Sequence, residues 1–148
     1  MNTKTLRPWI VVLSALALGA CATHRSPEGF AEKFFDKGER YIVKSLKKQD
    51  VPDAQLDQAR AVLERNRPTV TRDLAGYLRS QREVMRAVTS GRETNALLEL
   101  ETKMHQSHEQ ALTSIGNMHS ELRTTVGDQA WSGATANLEK RTSRYFRE

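Results

Sequence analysis

Residues 52–89 read PDAQLDQARAVLERNRPTVTRDLAGYLRSQREVMRAVT, and their apolar positions recur at intervals of three and four. Leu56, Ala59, Leu63, Val70, Leu74, Tyr77 or Leu78, Val84 or Met85, and Val88 form one stripe, with Asn66 or Arg67 filling its single gap. This is the period of a helical face, not the alternation of a strand. Pro52 suits a first helical turn, where a missing N–H costs nothing. Pro68 removes one backbone bond in the interior and predicts a kink. Ser90-Gly91 is a stop signal.

The same reading extends in both directions. Phe30 to Lys48 is expected as a first helix, with Phe30, Phe34, Tyr41 and Leu46 or Ser45 near one face and Gly38 weakening it. Gln49-Asp50-Val51 is a break. A third helix is expected from about Glu93 to Thr125, with Leu97, Leu100, Met104, Ser107 or His108, Ala111, Ile115, Met118 and Leu122 as its stripe. Gly127 ends it, and Asp128 is placed to cap a fourth helix through Arg141, with Trp131, Ala134 and Leu138 on one side. No segment has strand period, and no Gly-rich nucleotide loop occurs. The expected fold is all-α: a long antiparallel helical hairpin about Ser90-Gly91 with short flanking helices. Stripes this narrow leave apolar surface for a second copy to cover, so an elongated homodimer is expected.

The first twenty residues differ from the rest. Lys4 and Arg7 make Met1 to Pro8 positive, and Trp9 to Leu18 (WIVVLSALAL) is apolar except for Ser14. This run fits a signal-peptide core and is too short for a stable membrane span. Leu18-Gly19-Ala20-Cys21 follows and resembles the bacterial lipobox: Leu, two small residues, then the Cys whose thiol takes a diacylglycerol. The expected division is a signal peptide over 1–20, a lipidated tether over 21–29 and one helical domain over 30–148. Cys21 is the single cysteine, so no intramolecular disulfide can form, and a lipidated thiol is no nucleophile. Ala22, where an Asp would resemble an inner-membrane retention signal, points to the periplasmic face of the outer membrane. Losing Lys4 and Arg7 lowers the basic count from 23 to 21 against 18 acids, so the formal charge falls from +5 to +3. So mild a charge does not suggest nucleic acid.

The layout from about Glu39 to Arg141 resembles the Spy/CpxP family of periplasmic chaperone and stress proteins, which includes heavy-metal sensors. That family opens its long second helix with Leu-Thr-x-x-Gln. Val51-Pro52-Asp53-Ala54-Gln55 stands there in this chain, keeping the Gln. Arg67-Pro68, then Asp73 and Arg82-Glu83, are similar to the segment that follows. A second copy of the motif opens the family's last helix. Val126-Gly127-Asp128-Gln129-Ala130-Trp131 takes that place, with Ala130 for the Gln. The resemblance implies an all-α cradle-shaped antiparallel dimer without enzymatic activity. It also implies ATP-independent binding of unfolded or stress-damaged envelope proteins.

Two sets of residues could carry chemistry. Arg65, Arg72, Arg79 and Arg86 repeat every seventh residue and drift only about 20° per step, so they form one ridge. It is either a solvated face or a basic rail, whose apolar stems suit loose binding of acidic non-native clients. His105, His108 and His119 lie on the third helix or the edge of its stripe, and Glu101, His105 and His108 fall at i, i+4 and i+7, where two imidazoles and a carboxylate could serve zinc, nickel or copper. His108 borders the apolar stripe and can equally be a packed residue. No G-x-S-x-G, H-E-x-x-H or framed carboxylate pair occurs, so no enzyme is expected and no cofactor beyond that metal. The functions left open are a lipid-anchored chaperone, a metal sensor and a structural envelope lipoprotein.

Lipidation is directly testable. Mass spectrometry of the wild-type N-terminus should find acylated Cys21, and Cys21→Ser should accumulate as unprocessed precursor. A mature chain that begins elsewhere and carries no lipid would contradict the lipobox reading.

Overall fold

The structure, a computed structural model, describes the backbone of residues 26–144 and the side chains of residues 26–136. Residues 1–20, expected as a signal peptide, together with Cys21, His24 and the Leu138 side chain, lie outside the described residues. Among those described, every regular element is helical. The helices are α1 (Pro27–Lys47), α2 (Asp53–Thr89), α3 (Thr94–Val126) and α4 (Asp128–Arg144).

α1 begins three residues before the expected Phe30, because the start is chemically marked. Ser26 accepts the Gly29 amide at 3.0 Å, Pro27 occupies the first turn, and Glu28 meets the positive end of the helix. Its buried face also differs from the expected one. Ala31, Phe35, Ile42 and Leu46 face the core, while Phe30, Phe34 and Tyr41 are half-buried. Two overlapping stripes exist in this helix, and contact with α2 selects the one through Phe35.

α2 stays a single helix across Pro68, whose ring faces solvent. Asp53, not Pro52, is its first residue, and the Pro52 carbonyl accepts the amides of Gln55 and Leu56. Toward its end the face shifts from the expected one: Val84 and Ala87 are buried, whereas Met85 is 50% and Val88 56% exposed.

α3 runs back antiparallel to α2. The order of contacts fixes the direction: Glu83 with Lys103, Ser80 with Ser107, Asp73 with Ser114, and Arg65 with Glu121. Ala111, Ile115, Met118 and Leu122 enter the core as expected, but Leu97, Leu100 and Met104 are only half-buried. Gly127 has φ 84° and ψ 154°, a conformation side chains resist, and turns the chain sharply into α4. Asp128 is the first residue of α4 and not its cap. Its carboxylate instead takes the Arg123 guanidinium at 2.5 and 2.9 Å.

One chain therefore closes a core at one end of the hairpin. α1 contributes Phe35, Ile42 and Leu46, and α4 contributes Trp131 and Ala134, to the seam of Leu63, Leu74, Ile115 and Leu122. At this end the two short helices lie over the stripes that the sequence reading left for a second copy. At the other end, beyond Arg79, no third helix among the described residues lies against the hairpin: α1 starts at that level, with Glu28 paired to Arg79.

Two glycines should respond oppositely to substitution. A Cβ on Gly38 would meet nothing within 4 Å, so Gly38→Ala should raise stability by about 0.5–1 kcal/mol through helix propensity. Gly127→Ala also has room, yet should lose about 1–3 kcal/mol because its backbone is strained for any side chain. Urea unfolding followed by circular dichroism would measure both.

Candidate functional site

The arginine ridge is exposed but not idle. The side chains of Arg65, Arg72 and Arg79 are 65%, 64% and 51% exposed. Arg65 pairs with Glu121 of α3 at 2.8 Å, Arg72 donates through Nε to Asp73 at 2.9 Å, and Arg79 pairs with Glu28 of α1. Arg86 is exposed, and no ion pair among the described residues engages it. Hydrogen bonds from Arg65 and Asn66 hold the Glu121 carboxyl below its usual range. Glu28 is lowered by the backbone amides at the start of α1 and, secondarily, by Arg79. The exposed pairs Arg65–Glu121 and Arg79–Glu28 add little net stability, so another carboxylate can exchange into them at little cost.

Glu101 and His105 stand exposed on α3, but His108 does not join them. Its ring lies 4.9 Å from that of Tyr77 on α2, and the phenol pKa is pushed up by burial. Among the described residues no group of three or more His, Cys, Asp or Glu side chains is placed to hold a metal ion. Met118 is core, and Met104 packs against it.

Three polar residues prove more deeply built in than the sequence reading allowed. Arg67, which the periodicity treats as gap filler, is clamped between helices. Its guanidinium carbon lies 4.6 Å over the Phe35 ring, and its nitrogens reach Asp36 at 2.8 Å and Glu39 at 2.6 Å. The Asp36 hydrogen bond outweighs partial burial and raises the Arg67 pKa, so the charge is permanent. Asp73 is buried between α2 and α3, where it accepts from Ser114, from Gln110 at 3.2 Å and from Arg72. A sequence signal existed: Asp73 sits three residues after Val70 and four before Tyr77, on the apolar stripe. His119 is the third. It packs edge-on against Trp131 with ring centroids 5.3 Å apart, joining α3 to α4, and burial lowers its pKa to about 4.

No protein-family model, curated protein or solved structure matches this chain. No helix among the described residues is long and apolar enough to cross a membrane. The all-α architecture is thus established from the chain itself.

His119 predicts an acid sensitivity. Its folded pKa of about 4 lies below the ordinary 6.5, so the unfolded chain binds the proton more readily. Its contribution is complete above pH 6.5 and is lost as the pH falls toward 4, at about 1.4 kcal/mol per pH unit. Urea midpoints of wild type should fall between pH 7 and pH 5. In His119→Phe this dependence should largely disappear; an equal fall in both proteins would assign the effect to other groups.

Proposed function

We propose that this chain is a lipid-anchored, Spy/CpxP-like envelope protein that holds non-native segments of other envelope proteins without ATP. The observation that carries the reading is the ridge on α2. Arg65, Arg72 and Arg79 keep at least half of each side chain exposed while already occupied by carboxylates. Such a row exchanges partners readily. A client carboxylate can replace Glu121 or Glu28, and the methylene stems of arginine add apolar contact. Weak, interchangeable contacts suit a binder that must release its clients with no energy source. Helix order, helix lengths and the breaks at Asp50–Pro52, Ser90–Gly91 and Gly127 support the family likeness. The anchor is the lipobox Cys21, and the proposed location is the periplasmic face of the outer membrane.

Replacing Arg65, Arg72, Arg79 and Arg86 together with Gln tests the ridge. Helicity should remain near wild type and melting should fall only modestly, because Arg65, Arg79 and Arg86 contribute little to folding and buried Asp73 keeps Ser114 and Gln110 when Arg72 is lost. Suppression of aggregation of an acidic client should fall, and what remains should depend less on salt, since screening acts over about 8 Å at physiological ionic strength. Undiminished activity in a folded quadruple variant would reduce the ridge to a solvated face.

A further inference from the structure

The large apolar side chains exposed among the described residues collect at one end of the hairpin. Met85 is 50%, Val88 56% and Leu98 56% exposed, and Leu97 and Leu100 beside them are half-buried. α1 and α4 cover the opposite end. α2 continues ten residues past Arg79 to Thr89, which at about 1.5 Å per residue projects the tip about 15 Å beyond the start of α1.

The direction of α1 gives this tip an occupant. α1 is antiparallel to α2, since Glu28 pairs with Arg79 and Glu39 with Arg67, so its N-terminus faces the tip. Cys21 precedes Ser26 by five residues, and five residues of extended chain reach at most about 17 Å. The reach of the tether and the projection of the tip therefore match. A lipid on Cys21 would therefore let the bilayer surface reach the level of Met85, Val88 and Leu98.

We infer that the hairpin tip is a second membrane contact, resting its apolar side chains among lipid headgroups. This rests on the lipid-anchor reading of Cys21. Apolar contact carries it rather than net charge, because Arg86 and Arg92 share the tip with Glu93 and Glu99. The anchor and tip together would lay the hairpin in a fixed attitude, with the closed core directed away from the membrane.

The test supplies the tether chemically, so it does not depend on processing in the cell. Residues 21–148 include all described helices and are coupled through the Cys21 thiol to a maleimide lipid in phosphatidylcholine vesicles with brominated chains. Val88→Trp is compared with Asp57→Trp at the far end of α2; buried Trp131 is the common baseline. Val88→Trp emission should shift to the blue and be quenched by bromine, while Asp57→Trp stays at baseline. Equal emission from the two variants would overturn the proposal. So would a blue shift without bromine quenching that grows with protein concentration, which assigns the tip to a second copy. Quenching confined to vesicles containing phosphatidylglycerol would overturn the apolar account in favour of the arginines. Failure of the anchor reading appears separately, in the mass of the N-terminus.

Discussion

Asp73 sits between α2 and α3 with its side chain 4% exposed, and a carboxylate in that position tolerates few arrangements. Two helices joined by an apolar seam can slide by a turn and still bury leucines. A buried carboxylate cannot, because losing its partners would leave an unsolvated charge costing several kcal/mol. Ser114 and Gln110 must stand opposite it, one turn apart on α3, while Arg72 closes the solvent side. That single register places Glu121 beside Arg65 and Ser107 beside Ser80. Where the hairpin turns, and which side chains reach its tip, follows from it.

The second constraint is the docking of α1. Arg67 reaches across to Asp36 and Glu39 and sits over the Phe35 ring, so ion pairing and cation–π contact act at one point. A lysine could not reproduce that planar, forked contact. The clamp sets α1 along the lower part of α2 only, and α4 adds Trp131 to the same end. Among the described residues the molecule is thus built unevenly, with four helices around a core at one end and two at the other. Both features invoked for function follow from this asymmetry: the ridge stays outside the core along α2, and the tip extends past the last covering helix.

Much of this layout was legible in residues 52–89 and the breaks around them. Long periodic stripes, Ser90-Gly91 and Gly127 are strong local signals, and the helix bounds moved by a few residues at most. What failed was the choice between faces that local pattern leaves equivalent. Phe34-Phe35 offers two stripes, and only Arg67 on another helix decides between them. At the end of α2, Val88 fits the stripe but is exposed among the described residues, while the small Ala87 is buried. The ridge was legible as a ridge, but the carboxylate partners of Arg65 and Arg79 came from α3 and α1 and had no mark in the spacing. His108 was legible as a residue on the border of the seam, and Tyr77 across that seam draws its ring away from Glu101 and His105.

Helical order at the tip must have a source other than a core. The covered end gains from buried Leu46, Leu63, Leu74 and Leu122, each contributing about 1.5–3 kcal/mol by leaving water. Between Arg79 and Met104 no side chain of α3 is fully buried, and α2 contributes only Ser80, Val84 and Ala87. Segments with so little burial open locally at far lower cost than the whole molecule. The residues there compensate in part through propensity, with Arg, Glu, Met, Ala and Leu prominent. Propensity alone gives marginal helices, and the apolar side chains it leaves in water gain by finding a second surface. The tip is therefore the part of the fold whose stability a partner can change most, whereas the buried Asp73 and the clamped Arg67 hold the remainder in place whether or not the partner is there.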